Sequence, residues 1–72
     1  MMAVLIRDVN ETGSLIAVGD WDGLTLVCDV DIPDRLTSWI VSQLNSGETR
    51  GWIAFIRSEI AQDRYYWSYE TV

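Results

Sequence analysis

Three short apolar runs open the chain, each cut off by residues that favour turns. Ala3 to Val9 is rich in β-formers and ends at Asn10-Glu11-Thr12-Gly13, where a glycine can take positive φ. Ser14 to Asp20 repeats the pattern and runs into Asp20-Trp21-Asp22-Gly23, whose Asp-Gly pair between apolar runs is a strong hairpin signal. Leu24 to Val30 forms the third run. Strict alternation in it sets Leu24, Leu26, Cys28 and Val30 on one face and Thr25, Val27, Asp29 and, if the strand continues, Asp31 on the other. These runs predict three strands in an antiparallel meander.

The period then changes. Ile32-Pro33-Asp34 ends the third strand and starts a helix, because proline suits a first turn and an aspartate there complements the macrodipole. Leu36, Trp39, Ile40 and Leu44 follow helical spacing, and Gly47 reads as the stop, which predicts a helix over residues 34–46. From Gly51 the pattern is ambiguous. Trp52, Ile53, Ile56 and Ile60 would also fit a second helix, but the density of Trp, Ile and Phe favours a strand to Ile60. That strand turns at Ala61-Gln62-Asp63 into a last strand, Arg64 to Thr71. The expectation is therefore one α+β domain over residues 1–72, an antiparallel βββαββ sheet with one helix packed on one face.

A single helix leaves the second face of such a sheet bare, yet the first strands carry apolar side chains on both. Val4 and Ile6 oppose Ala3, Leu5 and Val9, and Leu15 and Ala17 oppose Ile16 and Val18. A half-solvated sheet alternates more cleanly. A curled barrel or a covered second face resolves the conflict, and a homodimer is the expected cover, with open sheet edges as a further means of pairing.

Charge divides the chain. Asp8, Glu11, Asp20, Asp22, Asp29, Asp31 and Asp34 occupy the first half with no Lys, Arg or His between them, Arg7 stands just before them, and acids and arginines balance beyond, so the net charge of −6 sits in the first half of the chain. Such a field selects partners rather than folds. With no lysine and five arginines, direct binding of nucleic acid or anionic lipid would begin in repulsion, and a basic protein partner is the natural complement. The lone Cys28 closes no internal disulfide, and no run of about 18 apolar residues is present to cross a membrane. The N-terminal residues lack a basic n-region, so no signal peptide is expected and the cytoplasm is the expected location.

Candidate chemistry is sparse. Asp20-Trp21-Asp22-Gly23 has the opening spacing of a calcium loop but lacks its later ligands, so an ordinary hairpin turn is the better reading and no metal is expected. Asp29, Asp31 and Asp34 put carboxylates on a strand face and a helix start. Without a His, Lys or Ser–base set beside them they read as a solvated rim and a helix start, so neither an enzyme nor a cofactor is expected. Cys28 reads as a core thiol. In Tyr65-Tyr66-Trp67-Ser68-Tyr69 alternate rings fall on opposite faces, one filling the core and the other meeting a partner, with Tyr66 and Trp67 as candidate contacts.

In size, acidity and lack of catalytic residues the chain resembles the small inhibitor proteins of phages and mobile elements, the anti-CRISPR and DNA-mimic proteins among them. The resemblance is one of overall character, across the whole chain. It implies a non-enzymatic inhibitor whose carboxylates stand in for phosphates in a basic site of a nucleic-acid-binding effector complex. Asp8, Glu11, Asp20, Asp22, Asp29, Asp31 and Asp34 would then carry the contact. The alternative is a small homo-oligomeric assembly module of phage or bacterial origin, which uses its apolar sheet face and aromatic hairpin while the charge serves solubility.

Overall fold

The computed structural model describes residues 2–9, 13–58 and 63–72, the side chains of 55–58 and 63–65 excepted. Its elements run β1 (Met2–Asp8), β2 (Ser14–Trp21), β3 (Leu26–Cys28), α1 (Asp34–Asn45), β4 (Arg50–Ser58) and β5 (Asp63–Thr71). All strands pair antiparallel in one sheet of order β3-β2-β1-β5-β4, an α+β fold with the predicted βββαββ succession. The segment after Gly51 is thus a strand. Ile53 pairs with Trp67 and Ala54 with Tyr66, so the apolar density of this stretch serves a hairpin.

One face of the sheet carries the core. Val4, Ile6, Ala17, Trp21 and Tyr69 are buried there against Leu36 and Ile40 of α1, with Trp39 and Leu44 of the same helical stripe packed beside them. The helix ends as its sequence requires. Gly47 takes φ +84°, its amide bonds Leu44 O at 3.1 Å, and the Glu48 amide bonds Gln43 O at 3.0 Å, the two bonds of a Schellman motif. Trp39 meets Tyr69 edge to face, with ring centroids 5.3 Å apart. Gly51 makes room for that pair: a Cβ on it would lie 3.1 Å from Tyr69 and 3.4 Å from Trp39. The Tyr69 hydroxyl also donates to Glu48 O at 2.9 Å, which ties the loop after the helix to the sheet. Burial first and the Glu48 charge second push the Tyr69 hydroxyl pKa up.

Strand β3 is shorter than alternation predicts, because two aspartates take over backbone positions. Asp22 Oδ1 accepts the amides of Leu24 and Thr25 at 2.8 and 2.7 Å, so both residues are drawn into the turn. At the other end the Val18 amide donates to Asp29 Oδ1 at 2.9 Å, where the ladder would otherwise offer a main-chain carbonyl. Leu24 and Val30, expected on the core face, are therefore 82% and 50% exposed. Leu26 and Cys28 keep that face and pack against the core.

The other face of the sheet is open. Register places Ala3, Leu5 and Arg7, Val18 and Asp20, Val27, Arg50, Trp52 and Ala54, and Tyr66, Ser68 and Glu70 on it. Trp52 is 68% exposed and sits 6.3 Å, centroid to centroid, from Tyr66. Among the described residues no helix is long and apolar enough to cross a membrane.

Candidate functional site

Five of the seven acids named by the sequence gather around β3. Asp20 is exposed on the open face and paired with Val27, Asp22 holds the β2–β3 turn, and Asp29, Asp31 and Asp34 line the path from β3 to α1. Asp31 and Asp34 border one shallow depression of about 170 Å³ together with Cys28 and Thr37. All five are exposed. Between them stand three exposed apolar side chains, Leu24, Val27 (67%) and Val30. This mixture was only half visible in sequence. Alternation in the third run sets Val27 beside Asp29, the signal for its exposure, whereas Leu24 and Val30 leave the core only because Asp22 and Asp29 end the strand.

Asp8 lies apart from this group. It is half-buried at the end of β1, across from Ser14 and Trp67, two strands away from β3. Glu11 lies outside the described residues. The two aromatic candidates also separate: Tyr66 is on the open face, and Trp67 packs against the core on the helix side.

The chemistry of the acids is that of acceptors. In Asp22, Oδ1 takes two amides and Oδ2 the Thr25 hydroxyl at 3.1 Å. The Thr25 amide most, then the Leu24 amide and the Thr25 hydroxyl, hold its pKa below the ordinary 3.8, opposite to the shift a proton donor near neutrality needs. A depressed folded-state pKa adds stability above the ordinary value and loses it as the pH falls through the folded one. Asp22→Asn keeps a neutral oxygen on the same two amides. We expect wild type to lose thermal stability relative to D22N between about pH 5 and pH 2, since an unperturbed Asp titrates near 3.9. A difference in melting temperature that stays constant across that range would refute the turn-holding role. Among the described residues, no group of three His, Cys, Asp or Glu side chains comes together as a metal site requires.

Cys28 is half-buried, and its thiol pKa is raised by burial first and the Asp29 charge second, both of which disfavour the thiolate. Over the open face a wider hollow of about 530 Å³ is bounded by Arg7, Arg50, Trp52, Ser68 and Glu70. Arg7 is engaged within it, 3.6 Å from Glu70 through Nε and donating through Nη1 to Gly13 O at 3.3 Å. Sequence reading did not single out this pair, since Arg7 and Glu70 lie far apart in the chain and meet only through the β1–β5 register. Comparison with protein-family models, with curated proteins and with solved structures finds no match to this chain.

Proposed function

We propose that the protein is a non-enzymatic binding protein that offers the β3 edge to a basic site of a larger protein, as an inhibitor of anti-CRISPR or DNA-mimic character does. One observation carries this reading: Asp20, Asp22, Asp29, Asp31 and Asp34 are exposed around a single edge with Leu24, Val27 and Val30 between them. Carboxylates supply the field that draws a cationic surface and sets orientation, and the apolar residues supply area to desolvate on contact. Asp29 is held by the Val18 amide and Asp22 by the amides of Leu24 and Thr25, so these two charges keep fixed positions, as a mimic of phosphates requires. A nucleic-acid-binding groove has the matching chemistry, arginine and lysine spaced for phosphates.

The test is capture from host lysate with wild type and with Asp20, Asp22, Asp29 and Asp31 all changed to Asn. Asparagine preserves the turn and strand-end hydrogen bonds while removing four charges, so the fold serves as its own control. The expected result is that nucleic-acid-binding proteins are captured by wild type, released near 0.5 M NaCl, where the Debye length falls to roughly 4 Å, and missed by the variant. Capture indifferent to both salt and substitution would refute the acidic edge.

The assembly reading draws on a different observation. Trp52, Tyr66 and Val27 leave apolar surface on the open face that the helix does not reach.

A further inference from the structure

The two edges of this sheet are treated differently. Strand β3 is three residues long and flanked by aspartates, and short length and charge are usual means of blunting an edge. Strand β4 is nine residues long, has no proline or acid, and keeps a regular register as far as Ile56.

Its outward groups follow from the ladder. The Thr71 amide bonds Thr49 O at 2.9 Å, so residues 49, 51, 53 and 55 point their backbone groups at β5. The Val72 amide on Ala3 O and the Val9 amide on Tyr66 O turn the even residues of β5 toward β1, which fixes the same phase independently. Arg50, Trp52, Ala54 and Ile56 therefore present their N–H and C=O groups outward from the edge.

We infer that β4 pairs with β4 of a second copy, antiparallel about a twofold axis at Ile53, and that the working unit is a dimer with one continuous ten-stranded sheet. In that register position 50 meets 56 and position 52 meets 54 of the other copy, so all four outward residues of each strand find partners. A shift by two in either direction leaves one residue of each strand unpaired. Charge agrees with this choice. Arg50 falls opposite an isoleucine position, so the arginine of the regular ladder meets no like charge. On the open face the exposed Trp52 gains the small Ala54 of the second copy as its neighbour, and beyond it the Tyr66 that pairs with that Ala54. Both helices lie on the same side of the joined sheet. The two β3 edges become its outer margins, nine strand spacings of about 4.8 Å apart, or roughly 43 Å. The inference is independent of what β3 binds. If β3 binds as proposed, the dimer is bivalent.

Light scattering on wild type at roughly 100 μM, where a micromolar dimer is mostly assembled, is expected to give twice the chain mass of 8.2 kDa. Ala54→Pro removes an outward N–H and no β4–β5 bond, so A54P is expected to keep its near-UV circular dichroism and become monomeric. Trp52→Lys places a charge at the centre of the pairing on an already exposed side chain and is expected to do the same. In wild type, the Trp52 and Ala54 amides should gain exchange protection as concentration rises. A wild-type monomer, a dimer that persists in W52K with those two amides unprotected, or a mass that grows past two copies would each overturn the twofold β4 pairing.

Discussion

Tyr69→Ala is expected to cost about 3–5 kcal/mol, the usual range for truncating a large buried ring. Tyr69 is almost fully buried at the point where the sheet meets α1. It faces Ile6 across the β1–β5 pair and holds the edge of Trp39 at 5.3 Å. Removing the ring empties the space against Trp39 and severs the hydroxyl bond to Glu48 O. A domain of 72 residues has roughly 4–11 kcal/mol in total at about 0.05–0.15 kcal/mol per residue, so the variant would be close to unfolded at room temperature. Tyr69→Phe separates the two losses. It keeps the ring and frees the carbonyl of an exposed residue to bind water, for about 0.5–1.5 kcal/mol. Urea denaturation of all three proteins at one fixed concentration measures both differences. A Tyr69→Ala midpoint within about 1 kcal/mol of wild type would show that the helix is not seated on this ring.

Gly19→Val is expected to release β3. Gly19 is buried in β2 opposite Cys28, and a Cβ there would stand 2.6 Å from Leu26 Cδ1 and 3.3 Å from Cys28 Sγ. Alanine is nearly tolerated, since the end of the Leu26 side chain can turn away and a strand gains backbone rigidity on losing a glycine. Valine adds two methyl groups that cannot both be placed, for about 1–3 kcal/mol of overpacking. The cheapest relief is local, because β3 is short and lies at the edge, so the strain appears as a larger population with β3 detached. Cys28 reports it. Its half-buried thiol should react with a disulfide reagent about tenfold faster for each 1.4 kcal/mol by which opening is eased, while far-ultraviolet dichroism stays native. Unchanged thiol reactivity would mean that the clash is absorbed elsewhere. A detached β3 also carries Asp22 and Asp29 away from Asp20, which stays on β2, so G19V should lose any partner held by that edge without losing a charge.

Much of the fold was written in local residues. Asp22-Gly23 turns where its chemistry says, with Gly23 at φ +100°, and Gly47 ends the helix through a left-handed residue. Leu36 and Ile40 mark the helical face, and the alternation of Tyr66 with Trp67 and Tyr69 separates open face from core. What local pattern could not supply was strand order and the use of side chains as backbone substitutes. Nothing in the sequence of β1 says that β5 is its second neighbour, so the exposure of Trp52 and the meeting of Arg7 with Glu70 stayed hidden. Likewise the third run alternates as a seven-residue strand, and only the contacts of Asp22 and Asp29 cut it to three. The acidic stretch was legible as charge, but its division was not: five aspartates rim β3, and Asp8 stands at the end of β1, two strands away.

The strand order also bears on how fast the molecule forms. Two hairpin units, β1-β2-β3 and β4-β5, close over short turns and can assemble early, at the microsecond scale of isolated hairpins. Their seam pairs Val4 with Thr71, residues from opposite ends of the chain, and little rewards that closure until the seam is made. The late step in folding is then expected to be the docking of these two units, with α1 as the tether between them. Until it occurs β1 and β5 are themselves bare edges, so the pairing edge that β4 offers in the folded chain has two competitors for mispairing in the unfinished one.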